Sequence, residues 1–267
     1  MTQQYSTSEV ATQDLKKKLT ISEKEGQEDV AAKETEELRA EISSQAGHDH
    51  CASFDPVHKI IKGFKYFLDN KFNKYPQWFQ QLAEGQHPKF LVFACSDSRV
   101  SPSHVLNFQP GEAFMARNIA NLVPAFNKLR YSGVGAIIEY AVAELKVENI
   151  LVIGHSRCGG IQRLMSHPED GSVPYDFIDD WVQIALTAKA KVKAEYGNLP
   201  FEEQCEICAQ EAVNLSLVNL QTYPYVQRAI QDKKLALRGA HYDFVVGSLK
   251  LWELETKISD PIIIPPS

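Results

Sequence analysis

Cysteine and histidine follow two apolar runs of the chain at spacings that suit a metal ion. Cys95 comes directly after the run Phe90–Ala94, and His155 and Cys158 follow the run Ile150–Gly154. A thiolate and an imidazole three residues apart can bind one ion at a strand-to-helix turn, and Cys95 can add a third ligand. Ligands of these types suit zinc. Three protein ligands leave one position for water, which is typical of catalytic rather than structural zinc.

Each of these three residues, taken alone, also has an ordinary structural interpretation. Buried thiols often pack as small apolar groups, and a histidine in a turn can be satisfied by its neighbours. Their joint placement at the ends of two apolar runs favours the metal site.

Asp97 and Arg99 stand two and four residues after Cys95. Zinc held by two thiolates and a neutral imidazole carries no net charge, so its water is less acidic than on an all-histidine site. Asp97 can orient that water and accept its proton, while a bidentate pair with Arg99 keeps the carboxylate off the metal. The alternative is an ordinary surface ion pair, worth about 0–1 kcal/mol.

The two apolar runs are predicted to be strands buried on both faces. Further strands are expected at Ala113–Ala116 and Leu235–Phe244, the latter with a continuation at Ser248–Leu251. Helices are expected from an Asp55-Pro56 cap, and over Ser132–Leu145, about Tyr175–Tyr196 and Glu202–Tyr223. This alternation predicts an α/β fold with a mainly parallel central sheet flanked by helices, and a ligand site at the carboxyl ends of the strands.

Charge and composition divide the chain unevenly. It has 267 residues, 44% of them hydrophobic, and a net charge of −6. Residues 1–50 hold 11 acidic and 6 basic side chains, which predicts a flexible or partly helical acidic segment over residues 1–53. A catalytic domain is expected over 54–254, and a tail over 255–267. The acidic balance argues against nucleic-acid binding, and the longest apolar runs are too short to span a membrane.

The expected location is the cytoplasm. Five cysteines, an odd number, suggest reduced thiols or metal ligands rather than disulfides. The first twenty residues lack the apolar core of a secretory signal, and the segment has the opposite bias to a transit peptide, which is rich in Arg and poor in acidic residues. A chloroplast location is the alternative if the chain is a processed form.

The motifs Ala94-Cys95-Ser96-Asp97-Ser98-Arg99 and His155-Ser156-Arg157-Cys158-Gly159-Gly160 together resemble those of plant-type β-carbonic anhydrases. The similarity extends from about Asp55 to Glu253. It includes Phe108–Gly111, Arg117–Asn121 and Lys146–Asn149.

The resemblance implies a zinc lyase that hydrates carbon dioxide reversibly to bicarbonate and a proton, by attack of zinc-bound hydroxide. It assigns one zinc per chain to Cys95, His155 and Cys158, and the catalytic pair to Asp97 and Arg99. It also implies a homo-oligomer built from dimers, commonly an octamer. The implied substrate pocket consists of Gln86, Phe114, Ile119, Tyr140 and Gly159, with Gln86, Phe114 and Tyr140 lining the site across a dimer interface.

The chain departs from the family pattern at two positions. Ser101 replaces a cysteine that is common in plant members, and Arg157 stands beside Cys158 where a small residue is usual. Arg157 either favours anion binding or points outward. Two alternatives to a carbonic anhydrase are considered. One is a catalytically silent, zinc-stabilised binding protein on the same fold. The other is a hydrolase on that fold for a related small electrophile such as carbon disulfide.

Three further patterns lie outside this assignment. Cys205-x-x-Cys208 has the spacing of a second metal or redox site, but it falls in a predicted helix without a second ligand pair. His48-Asp49-His50-Cys51 suits adventitious metal binding. The apolar run Pro261–Pro266 either packs on a neighbouring subunit or folds back on its own chain.

Overall fold

The computed structural model describes residues 54–168, 174–255 and 257–266. The chain divides into two compact units, one ending at Lys71 and one running from Phe72. In the first unit, helix α1 (Pro56–Phe67) begins as predicted: the Asp55 carboxylate accepts the N–H groups of Val57 and His58. A π-helical turn, Leu68–Phe72, follows it.

The second unit alternates strands with helices over most of its length. Its helices are α2 (Pro76–Glu84), α3 (Pro102–Val105), α4 (Ser132–Glu139), α5 (Gly159–Ser166), α6 (Ile178–Val182), α7 (Leu186–Tyr196), α8 (Phe201–Leu220) and α9 (Pro224–Gln231). Its strands are β1 (Phe90–Cys95), β2 (Ala113–Asn118), β3 (Asn149–His155), β4 (Ala236–Asp243), β5 (Ser248–Leu254) and β6 (Ile262–Ile264).

The strands form one mixed sheet in the order β2-β1-β3-β4-β5-β6. The first four run parallel, and β5 and β6 are antiparallel. From β1 the chain proceeds to β2 on one side and then to β3 on the other, so the topological switch point lies between β1 and β3. Ligands of open α/β sheets bind beyond the carboxyl ends of strands at such a point.

Apolar residues cover both faces of the parallel strands, as the uninterrupted runs predict. Leu91, Phe93, Ile150 and Val152 pack on one face with helix residues, and alternate residues of the same strands form a second cluster. Helix α8 approaches β3 closely at Gly154, where an added Cβ would lie 2.9 Å from Val213. Glycine there lets the long helix pack against the strand that carries His155.

Two predicted helices are present but are not continuous α-helices. The helix expected over Tyr175–Tyr196 begins only at Ile178 and is interrupted by a 3₁₀ turn, Gln183–Ala185. The part before this turn, α6, is attached to the segment after β2, because the Trp181 indole N–H donates to the Ile119 carbonyl at 2.8 Å. The helix expected over Ser132–Leu145 changes to π geometry at Tyr140–Glu144, where the Leu145 N–H bonds the Tyr140 carbonyl.

The C-terminal apolar run folds back on its own chain, which was one of the two alternatives. Ile262–Ile264 forms the edge strand β6, paired with Leu249–Leu251 of β5. Its three side chains stay exposed. None of the helices among the described residues is both long and apolar enough to cross a bilayer.

Candidate metal centre

The fold brings the three predicted metal ligands together at the switch point. Cys95 ends β1, His155 ends the neighbouring strand β3, and Cys158 lies three residues further on, before α5. Their donor atoms lie within 4.8 Å of one another, with the two Sγ atoms 3.9 Å apart. All three side chains are buried. Parallel strands therefore create the site from residues 60 positions apart in the sequence.

His155 presents a free ring nitrogen to this cluster. Its Nδ1 lies 2.8 Å from the Ser156 carbonyl oxygen, which can only accept, so Nδ1 carries the proton. Its Nε2 is buried and has no hydrogen-bond partner among the described residues. A buried lone pair without a partner is costly, and a metal ion would satisfy it.

The two thiols do not titrate independently. The hydrogen bond from the Cys158 thiol lowers the pKa of Cys95, and the same interaction raises the pKa of Cys158. Two thiolates this close repel each other, so only one ionises readily. A divalent cation between them would remove that repulsion and satisfy both. The donor set of two sulfurs and one imidazole nitrogen thus fits zinc.

Asp97 and Arg99 form the bidentate pair that the motif predicted. Arg99 Nε donates to Asp97 Oδ1 at 2.9 Å and Nη2 donates to Oδ2 at 2.7 Å, while the Arg99 backbone N–H also reaches Oδ1. These hydrogen bonds from Arg99 hold the pKa of the Asp97 carboxyl well below its usual range. The Asp97 side chain is 15% exposed, so the carboxylate is ionised, fixed and partly open to solvent.

Two residues to which the sequence analysis gave no role in the site support this pair. The Arg117 guanidinium donates to the carbonyls of Cys95, at 2.8 and 2.6 Å, and of Asp97, at 2.7 Å. The Phe244 ring lies under the Arg99 guanidinium, with the ring centroid 4.4 Å from Arg99 Cζ. Arg117 thereby fixes the backbone after β1, and Phe244 fixes the cation that holds Asp97.

Ile119 and Gly159 lie beside the ligand turn. Gly159 begins α5 directly after Cys158. A Cβ added to the next residue, Gly160, would lie 2.7 Å from the Ile119 side chain and 3.0 Å from that of Ala120. The close approach of α5 to the segment after β2 therefore requires a residue without a side chain.

The other predicted pocket residues lie away from this chain's own cluster. Phe114 pairs with Leu91, four residues before Cys95, which is about 13 Å along the strand. Tyr140 contacts Phe114, with ring centroids 5.8 Å apart, and Gln86 precedes the opposite end of β1. A single chain does not bring these three residues to its metal ligands, so their role in the pocket stays a prediction.

The remaining candidates have structural surroundings. Ser101 precedes the short helix α3, and the exposed Arg157 lies in the ligand turn. Cys205 and Cys208 are buried in α8, and burial raises their pKa to about 11 and about 12. Among the described residues, the cluster of Cys95, His155 and Cys158 is the candidate metal group, which leaves the Cys205 pair without a third ligand. The segment His48–Cys51 lies outside the described residues.

Comparisons with known proteins agree with this geometry. A family model described as carbonic anhydrase matches residues 90–249, which include every ligand residue and the Asp97–Arg99 pair. The sequence is 50% identical over 239 residues to β-carbonic anhydrase 3 of Arabidopsis thaliana, covering 89% of this chain and 91% of that protein. The chain belongs to the β-carbonic anhydrase family. Its resemblance to the plant-type members is confirmed.

Solved structures of other β-carbonic anhydrases share the fold. The β-carbonic anhydrase CcaA superposes with a TM-score of 0.70 at 29% identity, over 79% of this chain and 92% of that one. One of two tetrameric β-carbonic anhydrases from Sordaria macrospora gives a TM-score of 0.65 at 32% identity, over 74% and 96%. These matches confirm the predicted α/β fold and support carbonic anhydrase activity.

Proposed function

We propose that this chain catalyses the zinc-dependent, reversible hydration of carbon dioxide to bicarbonate and a proton. The observation that carries the proposal is the convergence of Cys95, His155 and Cys158 beside the Asp97–Arg99 pair. One zinc per chain would be held by the three ligands. When bound, zinc supplies a Lewis acid that makes a water molecule a strong nucleophile at ordinary pH.

Asp97 is the proposed hydrogen-bond acceptor for the attacking water. Its Oδ1 already accepts two hydrogen bonds from Arg99, whereas Oδ2 accepts one. A carboxylate oxygen has two acceptor sites, so Oδ2 keeps one free. Because Arg99 lowers the pKa of Asp97, the carboxylate stays ionised and would orient the water by accepting a hydrogen bond from it.

Arg99 keeps this carboxylate available. A free carboxylate near zinc would compete to become a ligand, which would close the position that water needs. Both oxygens of Asp97 instead accept hydrogen bonds from one planar guanidinium, and the Phe244 ring packs against that cation. The arrangement leaves Asp97 able to accept a hydrogen bond from water and hinders it from coordinating the metal.

We further propose that the apolar carbon dioxide pocket is completed by a second copy of the chain. Ile119 and Gly159 lie beside the ligand turn of the same chain, whereas Gln86, Phe114 and Tyr140 do not. Tyr140 is 46% exposed and its ring contacts that of Phe114 at a tilt of 38°, so Tyr140 is accessible to a neighbouring subunit. The related enzymes from Sordaria macrospora are tetrameric, which supports a dimer-based assembly.

Replacing Asp97 with asparagine tests the proposed chemistry. Asp97→Asn removes the anionic acceptor but leaves all three metal ligands, so zinc content should stay near one per chain. We expect kcat/KM for hydration, measured by stopped flow, to fall by about 100-fold or more. Asp260→Asn, at an exposed carboxylate away from the cluster, is the matched control and should retain wild-type activity.

An Asp97→Asn variant with full zinc and unimpaired hydration would refute the role of Asp97. Wild-type protein that holds zinc without hydrating carbon dioxide would instead favour a zinc-stabilised binding protein.

A further inference from the structure

The turn between two of the metal ligands contains a residue in a strained backbone conformation. Arg157 lies between His155 and Cys158 and has a φ of 51°. This left-handed region is unfavourable for a residue with a Cβ, and such residues persist where surrounding contacts hold them. The contacts of Arg157 therefore decide how firmly the turn, residues 155–158, keeps its shape.

Glu206 of α8 makes the contact that anchors this residue. The Arg157 backbone N–H donates to Glu206 Oε1 at 2.8 Å. A hydrogen bond to a carboxylate is stronger than one between neutral groups. Glu206 follows Cys205, which is 5% exposed and packed in the core, so the carboxylate is presented from a firmly packed helix.

The second oxygen of Glu206 faces the neighbouring strand β4. Oε2 lies 3.5 Å from Nε2 of His241, which is 4% exposed. Burial lowers the pKa of His241 to about 4, so this imidazole is neutral. His241 pairs in register with Gly154, the residue before His155. The carboxylate thus lies between the strand that flanks His155 and the turn that leads to Cys158.

The residue that Glu206 holds also contacts the catalytic pair. The Arg157 carbonyl accepts a hydrogen bond from Arg99 Nη2 at 3.3 Å. The same Nη2 donates to Asp97. A displacement of Arg157 would therefore disturb both the ligand turn and the guanidinium that orients Asp97.

We propose that Glu206 is a positioning residue, which fixes the turn of residues 155–158 for metal binding by accepting the Arg157 N–H. It acts through the backbone of Arg157 rather than by touching the metal or the substrate. The inference rests on the proposed zinc site. It predicts that loss of the acceptor oxygen speeds the release of zinc while the three ligands remain.

Two neutral replacements of Glu206, both similar to it in length, distinguish the loss of the acceptor oxygen from the loss of negative charge and from the loss of side-chain packing. Glu206→Gln keeps an acceptor oxygen at the end of the side chain, whereas Glu206→Met does not. For zinc-loaded proteins mixed with a chromogenic chelator at neutral pH, we expect Glu206→Met to release zinc about 10–100-fold faster than wild type. Glu206→Gln should stay within a few-fold of wild type.

A spectroscopic measurement and a control on the same helix complete the test. In cobalt-substituted protein, the thiolate-to-metal and d–d absorption bands should shift in Glu206→Met and not in Glu206→Gln. Glu211→Met is the control, because the Glu211 carboxylate pairs with Lys191 at 2.9 Å. That variant should release zinc at the wild-type rate.

Equal release rates for Glu206→Met and wild type would overturn the proposal, and so would a Glu206→Gln variant that releases zinc as fast as Glu206→Met. If Glu206→Met does not fold, Glu206→Ala replaces it in the same comparison, since the Glu206 side chain is 36% exposed. Wild-type protein that binds no zinc would contradict the proposed function together with this inference. Zinc-loaded wild type with equal rates in both variants would contradict this inference alone.

Discussion

Among the described residues, two pairs of cysteines lie in the interior, and they differ in position and in surroundings. Cys95 and Cys158 come from the ends of different elements, whereas Cys205 and Cys208 are one turn apart on α8. All four are buried free thiols, and they belong to the same apolar cluster. Burial and spacing alone therefore do not make a metal site.

The difference lies in what the topology brings to each pair. Adjacent parallel strands place His155 and the Asp97–Arg99 pair beside the first two sulfurs. The second two lie on α8 in a cluster of apolar side chains, and burial raises their pKa to about 11 and about 12. The first pair is arranged to share a cation, and the second remains protonated as part of the core.

The largest effect is expected from removing a ligand of the first pair. Cys158→Ala leaves one thiolate and one imidazole, so zinc affinity should fall by more than the ~10–100-fold cost of losing an outer contact. Carbon dioxide hydration should fall to the uncatalysed background. Zinc analysis and stopped-flow assays on the same sample measure both. Stoichiometric zinc in Cys158→Ala would show that the ligand assignment is wrong.

A smaller effect, on stability and not on zinc binding, is expected from removing a thiol of the second pair, Cys205 and Cys208. Cys208 is fully buried, so Cys208→Ala should lower the free energy of unfolding by about 1–2 kcal/mol through lost packing. Zinc content and kcat/KM should match wild type. Denaturant unfolding followed by circular dichroism gives the stability change. Loss of zinc from this variant would break the distinction between the two pairs.

The smallest effect is expected at Gly159, the first of the two glycines that follow Cys158, and its neighbour Gly160 provides the contrast. An added Cβ at Gly160 meets Ile119 and Ala120 at 2.7 and 3.0 Å, whereas nothing lies within 4 Å of one at Gly159. Gly160→Ala should therefore destabilise the protein by about 1–3 kcal/mol. Gly159→Ala should be neutral or slightly stabilising, because alanine favours helix. Equal unfolding midpoints for the two variants would contradict the close packing of α5.

The parts of the site that sequence could predict are those encoded locally. Cys95, Asp97 and Arg99 stand on one short segment after a buried run, and His155 and Cys158 stand on another. Because the carboxyl ends of parallel strands lie at the same edge of a sheet, these residues could be predicted to lie together. Arg117, Glu206 and Phe244 were missed because each acts on that site from another element. Nothing in their local spacing indicates those contacts.

The fold was predictable to a similar degree. Uninterrupted apolar runs identified β1 and β3, and their alternation with helices predicted the parallel sheet. The break at Gln183–Ala185 was not predictable, because it accompanies a tertiary bond from Trp181 to Ile119. The pairing of β6 with β5 was likewise left open, since a short apolar tail suits its own sheet and a neighbouring subunit equally well.

The central claim is tested most directly by measuring zinc content and carbon dioxide hydration on one sample of wild-type protein. Stopped-flow assays at about pH 8 or above suit the proposed chemistry, because two thiolate ligands would leave zinc-bound water less acidic than the pKa of about 7 on an all-histidine site. We predict about one zinc per chain together with rapid hydration, both abolished in Cys158→Ala and both retained in Cys208→Ala. Stoichiometric zinc without hydration, or hydration that survives in Cys158→Ala, would contradict the account.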